Sequence, residues 1–244
     1  MTSPKRTARI AGVLYLLVGI FGGFAEGYVE PKMYVAGNAA ASAGNVVANA
    51  GLVRLGVVSD LLDQTFFVFL VLALYILLKN VNQNVARAML VLVAIAATIT
   101  CLNTVFEFEA LRVATGAVNL GAVGTAGSHA VVLLLLDTQH YGIFIAQIFF
   151  GLWLVPLGYL AYQSRGWFPK WLGVLLIVGG VCYLVDLLAL FLVPDVDKVI
   201  HGYITIPSAI AEITMVLYLL IFGVRTQKPA ERIPQPAEPI PAVA

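Results

Sequence analysis

The sequence predicts an all-α fold: a polytopic integral membrane helix bundle of about six transmembrane helices. Three observations predict it. Of 244 residues, 61% are hydrophobic and only 11% charged. Soluble domains carry about a quarter charged residues, so this chain could not cover a soluble surface. Several apolar runs reach the roughly 20 residues that a helix needs to cross a bilayer. Lysines and arginines fall unevenly on the two sides that those runs define.

The spans are expected at about 8–28, 54–79, 85–109, 139–163, 168–193 and 203–225, one transmembrane domain over 1–225. The first follows Lys5, Arg6 and Arg9 and precedes "AASAG" at 40–44, which imitates a signal peptide. The small-residue site lies too far beyond the apolar run for cleavage, and the run is long enough to span, so it reads as a retained helix. Gly19, Gly23 and Gly27 recur every four residues on it, the spacing that lets another helix approach closely. "KNVNQN" (79–84) and "SRGWFPK" (164–170) read as tight turns. The connections 29–53 and 110–138 are longer and rich in Ala, Gly and Asn. Within the latter, "AVVLLLLD" (130–137) is too short to span and is expected as a re-entrant or interfacial piece. On the fourth span Pro156 lies between Gly151 and Gly158; a proline there removes one backbone hydrogen bond and kinks a helix. The tail, 226–244, has five prolines in 229–241 and no apolar period, which predicts a disordered, Pro-rich cytoplasmic segment.

With the N-terminus in the cytoplasm, ten of the 14 lysines and arginines fall inside. That asymmetry predicts both termini cytoplasmic. Trp167 and Trp171 then sit at the inner interface, where indole rings anchor well. The net charge of +1, with no basic patch interleaved with aromatics, gives no ground for a nucleic-acid partner. Cys101 and Cys182 fall inside apolar runs and read as free thiols.

An ionisable group inside a span is a functional hypothesis in itself, since it costs about 2.5–3.5 kcal/mol at mid-membrane on insertion scales. At 1.5 Å rise per residue, Asp60 lies roughly 9 Å and Asp63 roughly 13 Å from the outer end of its span. By the same rise Asn103 lies at roughly 9 Å, Asp186 at roughly 10 Å, Gln147 at roughly 12 Å and Glu212 at roughly 13 Å. Five helices thus place a polar group in one layer. Spacing puts Asp60, Asp63 and Gln64 on one face, Asn103 and Glu107 on another, and Ser208 and Glu212 on a third. A shallower ring holds Glu26, Arg54, Arg112, His140 and His201. The simplest geometry is a funnel open to the outside and closed below by aliphatic packing. Arg54 and Arg112 are the only cations in that half, so some carboxylates must be protonated, share protons or bind a cation.

Three functions compete. The first is an outward-facing acidic pocket that binds or transports a proton, a cation or a small polar or cationic ligand. Its residues are Asp60, Asp63, Gln64, Asn103, Glu107, Gln147, Asp186 and Glu212. A symmetric inverted-repeat transporter is weakened, because it would map this outer layer onto the inner half of the second repeat. The second is an intramembrane metal-dependent lipid hydrolase using Asp137, His140 and His201. The third is a non-catalytic helper subunit, in which the polar layer only fixes helix register. No HxxxH, HExxH, P-loop, GxGxxG or CxxC occurs, so the reading leans against an enzyme. No cofactor is expected, although a metal ion stays open. The expected partners are the lipid bilayer and a small cationic ligand or lipid; the oligomeric state is left open.

The runs "GLWLVPLGYLAYQS" (151–164), "FPKWLGVLLIVGGVCYLVD" (168–186) and "RLGVVSDLLDQ" (54–64) resemble a bacterial family of small multipass membrane proteins, domain of unknown function family 4386. The resemblance covers roughly 8–225 and is most specific over 150–186. Where the family pattern carries an aspartate in the first outer connection, this chain has Asn38. The resemblance implies about six helices and a bacterial cytoplasmic (inner) membrane. It implies no activity.

Overall fold

The computed structural model describes residues 3–164 and 166–225. The expected tail at 226–244 lies outside them. Among the described residues there is no strand, and six helices are long and apolar enough to cross a membrane. The protein is an all-α polytopic membrane helix bundle.

Helix α1 spans Pro4–Met33. Ser3 caps it, its side chain accepting from the Arg6 N–H, and Pro4 sits in the first turn, where its missing donor is not needed. Over Ala25–Val29 the helix widens into a π-helical turn. Pro31 supplies the cause. It cannot donate to the Gly27 carbonyl and its ring crowds that group, so the turn before it relaxes and the Glu30 N–H bonds Ala25 O instead. Such a turn shifts the register of the rest of the helix, and Glu26 lies within this one.

Helix α2 (Ala39–Ala48) starts at Asn38, whose side chain accepts from the Ala41 N–H. Asn38 therefore serves as a helix cap. Helix α3 is Ala50–Leu78, and α4 is Gln83–Ala114, capped by Asn82 accepting from the Val85 N–H. Helix α5 runs over Gly124–Gln163 without a break at Pro156. This corrects the sequence expectation of a separate short piece at 130–137, which belongs to a continuous 40-residue helix. At 1.5 Å per residue α5 is about 60 Å long, twice the hydrocarbon core of a bilayer. Its first half packs on α2 through Val132 and Leu136, in a cluster with Val46 and Leu111. Gly, Ser and Thr dilute the apolar pattern there, which is why it reads as a loop. Helices α6 (Lys170–Leu192), α7 (Pro194–Ile204) and α8 (Ile206–Ile221) complete the bundle.

Lys5 packs against Gly223, so both ends of the described chain meet at one end of the bundle. A large apolar cluster fills that end, with Leu74, Leu78, Met89, Trp153, Leu157 and Leu219 at its centre. The smaller cluster around Met33, Val46, Leu111 and Leu136 closes the far end. The polar residues lie between the two.

Small residues join α5 to α6. A Cβ on Gly158 would lie 2.5 Å from the Gly173 carbonyl oxygen, and one on Gly151 would lie 2.8 Å from that of Gly180. The reverse contacts, Gly173 on Gly158 and Gly180 on Gly151, are both 2.6 Å. The two backbones therefore touch at two points one heptad apart. The stripe on α1 behaves otherwise. A Cβ on Gly19, Gly23 or Gly27 would meet nothing within 4 Å, so this stripe packs no helix of the described chain, contrary to the sequence expectation. Instead Gly12 lets α1 meet α8, 2.9 Å from Leu219 Cβ.

Candidate functional site

Asp60, Asp63, Gln64, Asn103, Glu107, Gln147 and Asp186 are all buried, with exposures of 9% or less. Glu212 and Glu26 are half-buried. Helix α3 presents Asp60, Asp63 and Gln64 from one face, as the three- and four-residue spacing requires. Helix α4 presents Asn103 and Glu107 in the same way. The side chains of Asp60 and Glu107 meet carboxyl to carboxyl. Glu26 faces Asp60, Glu30 and Asp63.

Three of these heads seat where a neighbouring helix lacks a Cβ. The Asp63 carboxylate lies against Gly22 of α1, at 3.3 Å from where a Cβ would be. Glu107 Oε1 lies 3.2 Å from the corresponding point on Gly56, and the Asn103 amide covers Gly142. The glycines make room for polar atoms that a larger residue would exclude.

The second half of the site is saturated with hydrogen bonds. Tyr15 and Tyr183 each donate to Glu212, at 2.9 Å to Oε2 and 2.9 Å to Oε1. Gln147 donates to Asp186 Oδ2 at 2.8 Å, and His201 Nδ1 lies 2.8 Å from Asp186 Oδ1. The first half is not saturated. Gln64 Nε2 donates to Asp63 Oδ2 at 2.6 Å, but the acceptors Asp63 Oδ1, Gln64 Oε1 and Glu107 Oε1 are buried without a hydrogen-bond partner, as are Thr100 Oγ1 and Asn103 Nδ2. A buried acceptor left unmade costs about 1–3 kcal/mol, more when it carries charge. No lysine or arginine among the described residues is buried.

The expected shallow ring does not form as a unit. Arg112 pairs with Glu109 at 2.5 Å on the surface, and Arg54 is exposed. Neither forms an ion pair with Asp60 or Asp63. His140 pairs with Glu30 at 3.0 Å and stacks on Tyr34. Tyr34 donates to Asp137 at 2.6 Å; burial, then this carboxylate, hold its phenol above the ordinary tyrosine range. The metal set considered for a hydrolase is likewise dispersed. Asp137, His140 and His201 take the different partners Tyr34, Glu30 and Asp186. Among the described residues no group of three or more His, Cys, Asp or Glu could hold a metal ion.

A cavity of about 250 Å³ lies between Asp63 and Glu212, walled by Gly22, Trp153 and Tyr183. Reading the spans as apolar missed Tyr15 and Tyr183. The available signal was a tyrosine at mid-span, since a buried phenol requires a partner for its hydroxyl. Glu30 and Gln139 were also missed; Gln139 lies 3.5 Å from Glu26. Tyr15→Phe removes one donor from Glu212 and is expected to destabilise the protein by about 1–3 kcal/mol. Thermal unfolding in detergent measures this; an unchanged midpoint would show that the bond contributes nothing.

A family model described as "Domain of unknown function (DUF4386)" matches residues 10–223. A curated "Uncharacterized protein" of Archaeoglobus fulgidus is 44% identical over 55 residues, which is 22% of this chain and 33% of that protein. The match thus spans about a third of the relative's length. No solved structure matches the chain.

Proposed function

The chain belongs to the DUF4386 family of unknown function, and on that premise we propose that it is a non-enzymatic membrane protein that takes a cation into its buried acidic layer. The observation that carries this reading is the trio of buried acceptors, Asp63 Oδ1, Gln64 Oε1 and Glu107 Oε1, each without a hydrogen-bond partner although the Thr100 hydroxyl and the Asn103 amide nitrogen are unpartnered too, with, among the described residues, no buried lysine or arginine to serve them. Carboxyls that meet one another, as Asp60 and Glu107 do, need a proton or a cation between them. The ligand is therefore a proton donor or a positive charge. A proton fills the site when the ligand is absent, and the ligand displaces it. With both termini in the cytoplasm, as the distribution of Lys and Arg favours, the cluster of Met33, Val46, Leu111 and Leu136 covers the layer on the outer side of a cytoplasmic membrane, so the funnel open to the outside that the sequence suggests does not form.

Ligand binding to the native state raises stability, by about 2.7 kcal/mol at a hundredfold excess over Kd. The full chain in detergent should be stabilised saturably by at least one of methylammonium, sodium and calcium. Glu107→Gln should weaken that response. If none of the three cations shifts the unfolding midpoint at any pH the protein tolerates, the reading fails.

A further inference from the structure

The open glycine stripe of α1 and the acidic cavity are parts of one feature. Near the end that holds the chain termini, α1 and α8 are in contact through Gly12 and Leu219. The Tyr15–Glu212 hydrogen bond ties them one turn further along. Beyond it the contact ends: a Cβ on Gly19 or Gly23 would meet nothing within 4 Å. A groove of about 330 Å³ runs there, walled by Leu16, Ile20, Ile213 and Leu217. Those four side chains are 42–59% exposed on the outside of the bundle, the surface that meets lipid. Val18, Gly19 and Glu212 line both this groove and the cavity that holds Asp63. Asp63 is nine-tenths buried, at 9% exposure, and its Oδ1 has no hydrogen-bond partner.

We propose that the groove between α1 and α8 is a lateral portal through which a single-chain amphiphile with a protonated amine head passes from the bilayer to Asp63 and Glu212. This rests on the cation reading above and names the ligand class. Charge complementarity selects the head. The charged and titratable groups around Asp63 are the acids Asp60, Glu26 and Glu212, the Cys101 thiol, and the Tyr183 phenol on the same cavity, none of them a cation, so an ammonium is held and a phosphate or carboxylate repelled. The apolar walls of the groove select a tail. Size limits the ligand: a cavity of about 250 Å³ has the volume of about eight water molecules at about 30 Å³ each, enough for an ammonium head, and the groove of about 330 Å³ is too small for two acyl chains side by side.

The test uses the full chain in phosphatidylcholine nanodiscs, with Trp167→Phe and Trp171→Phe so that Trp153 alone reports on the cavity wall. The probes are a long-chain primary amine brominated near its head, the matching brominated alcohol, and water-soluble methylammonium. The amine should quench Trp153 saturably and the alcohol should not. Ile20→Phe with Ile213→Phe narrows the portal: both residues line the groove but not the cavity, and both are more than half exposed, which lets this variant fold. It should weaken the long-chain amine at least about tenfold while leaving methylammonium binding, read as thermal stabilisation, unchanged. Three outcomes overturn the portal. The long-chain amine does not quench although methylammonium stabilises, in which case the acidic pocket stands alone. The narrowed variant binds the amine as the parent does. Or the variant converts a dimer to a monomer, which assigns the groove to a second copy of the chain. If neither amine binds, the portal falls, and the pocket reading falls with it where sodium and calcium also fail to stabilise the protein.

Discussion

Gly158→Leu is expected to abolish the folded state or leave it barely populated. The α5 and α6 backbones are in direct contact at this point, and a Cβ would stand 2.5 Å from the Gly173 carbonyl oxygen and 3.0 Å from the Ile177 nitrogen. Both obstacles are backbone, so no side-chain rotation relieves them. Overpacking a core costs about 1–3 kcal/mol when side chains can yield; here a helix must move, and the loss should exceed that range. The second contact, Gly151 against Gly180, is broken by the same displacement. Gly27→Leu is the control, since nothing lies within 4 Å of its Cβ; it should change stability by no more than about 0.5 kcal/mol. Size-exclusion profiles and thermal unfolding of both variants decide the matter. A Gly158→Leu protein as stable as the parent would refute the packing described for α5 and α6.

Asp63→Asn is expected to spare the fold and remove cation binding. Asparagine has the same shape, so it fits against Gly22 as the carboxylate does. Removing a buried, unpaired charge relieves a cost rather than adding one, so the unfolding midpoint without added cation should stay or rise. The response to methylammonium, sodium or calcium should fall at least tenfold in apparent affinity, about 1.4 kcal/mol. Asp186→Asn should differ. Asp186 already satisfies both oxygens with Gln147 and His201, so its variant should lose stability and leave cation affinity nearly unchanged. If the two variants exchange these behaviours, the ligand sits at Asp186 instead.

The helices were legible because bilayer thickness imposes a length and an apolar composition that few other structures share. The polar layer was legible for the same reason: in a chain with so few charges, each mid-span acid is conspicuous, and three- and four-residue spacing gives its face. Three things were not legible. The first half of α5 has a diluted apolar pattern and reads as a loop, although it packs on α2 through Val132 and Leu136. Which glycines bring helices together depends on the partner: Gly158 and Gly173 are buried against each other while Gly19 and Gly23 face outward, and both pairs look alike in sequence. The counter-groups of the acids could not be read from depth alone. Arg54 and Arg112 are close in depth, but the structure turns them to the surface, and the partners of Glu212 are two phenols counted as apolar residues.

The central claim is that the acids of α3 and α4 exchange a proton for a cation. Proton release on cation addition, followed with a pH-indicator dye in weakly buffered detergent solution, measures that directly. A saturable release that tracks the thermal stabilisation and disappears in Asp63→Asn is the predicted result. A parent protein that releases no protons and shows no saturable response to any of the three cations would contradict it.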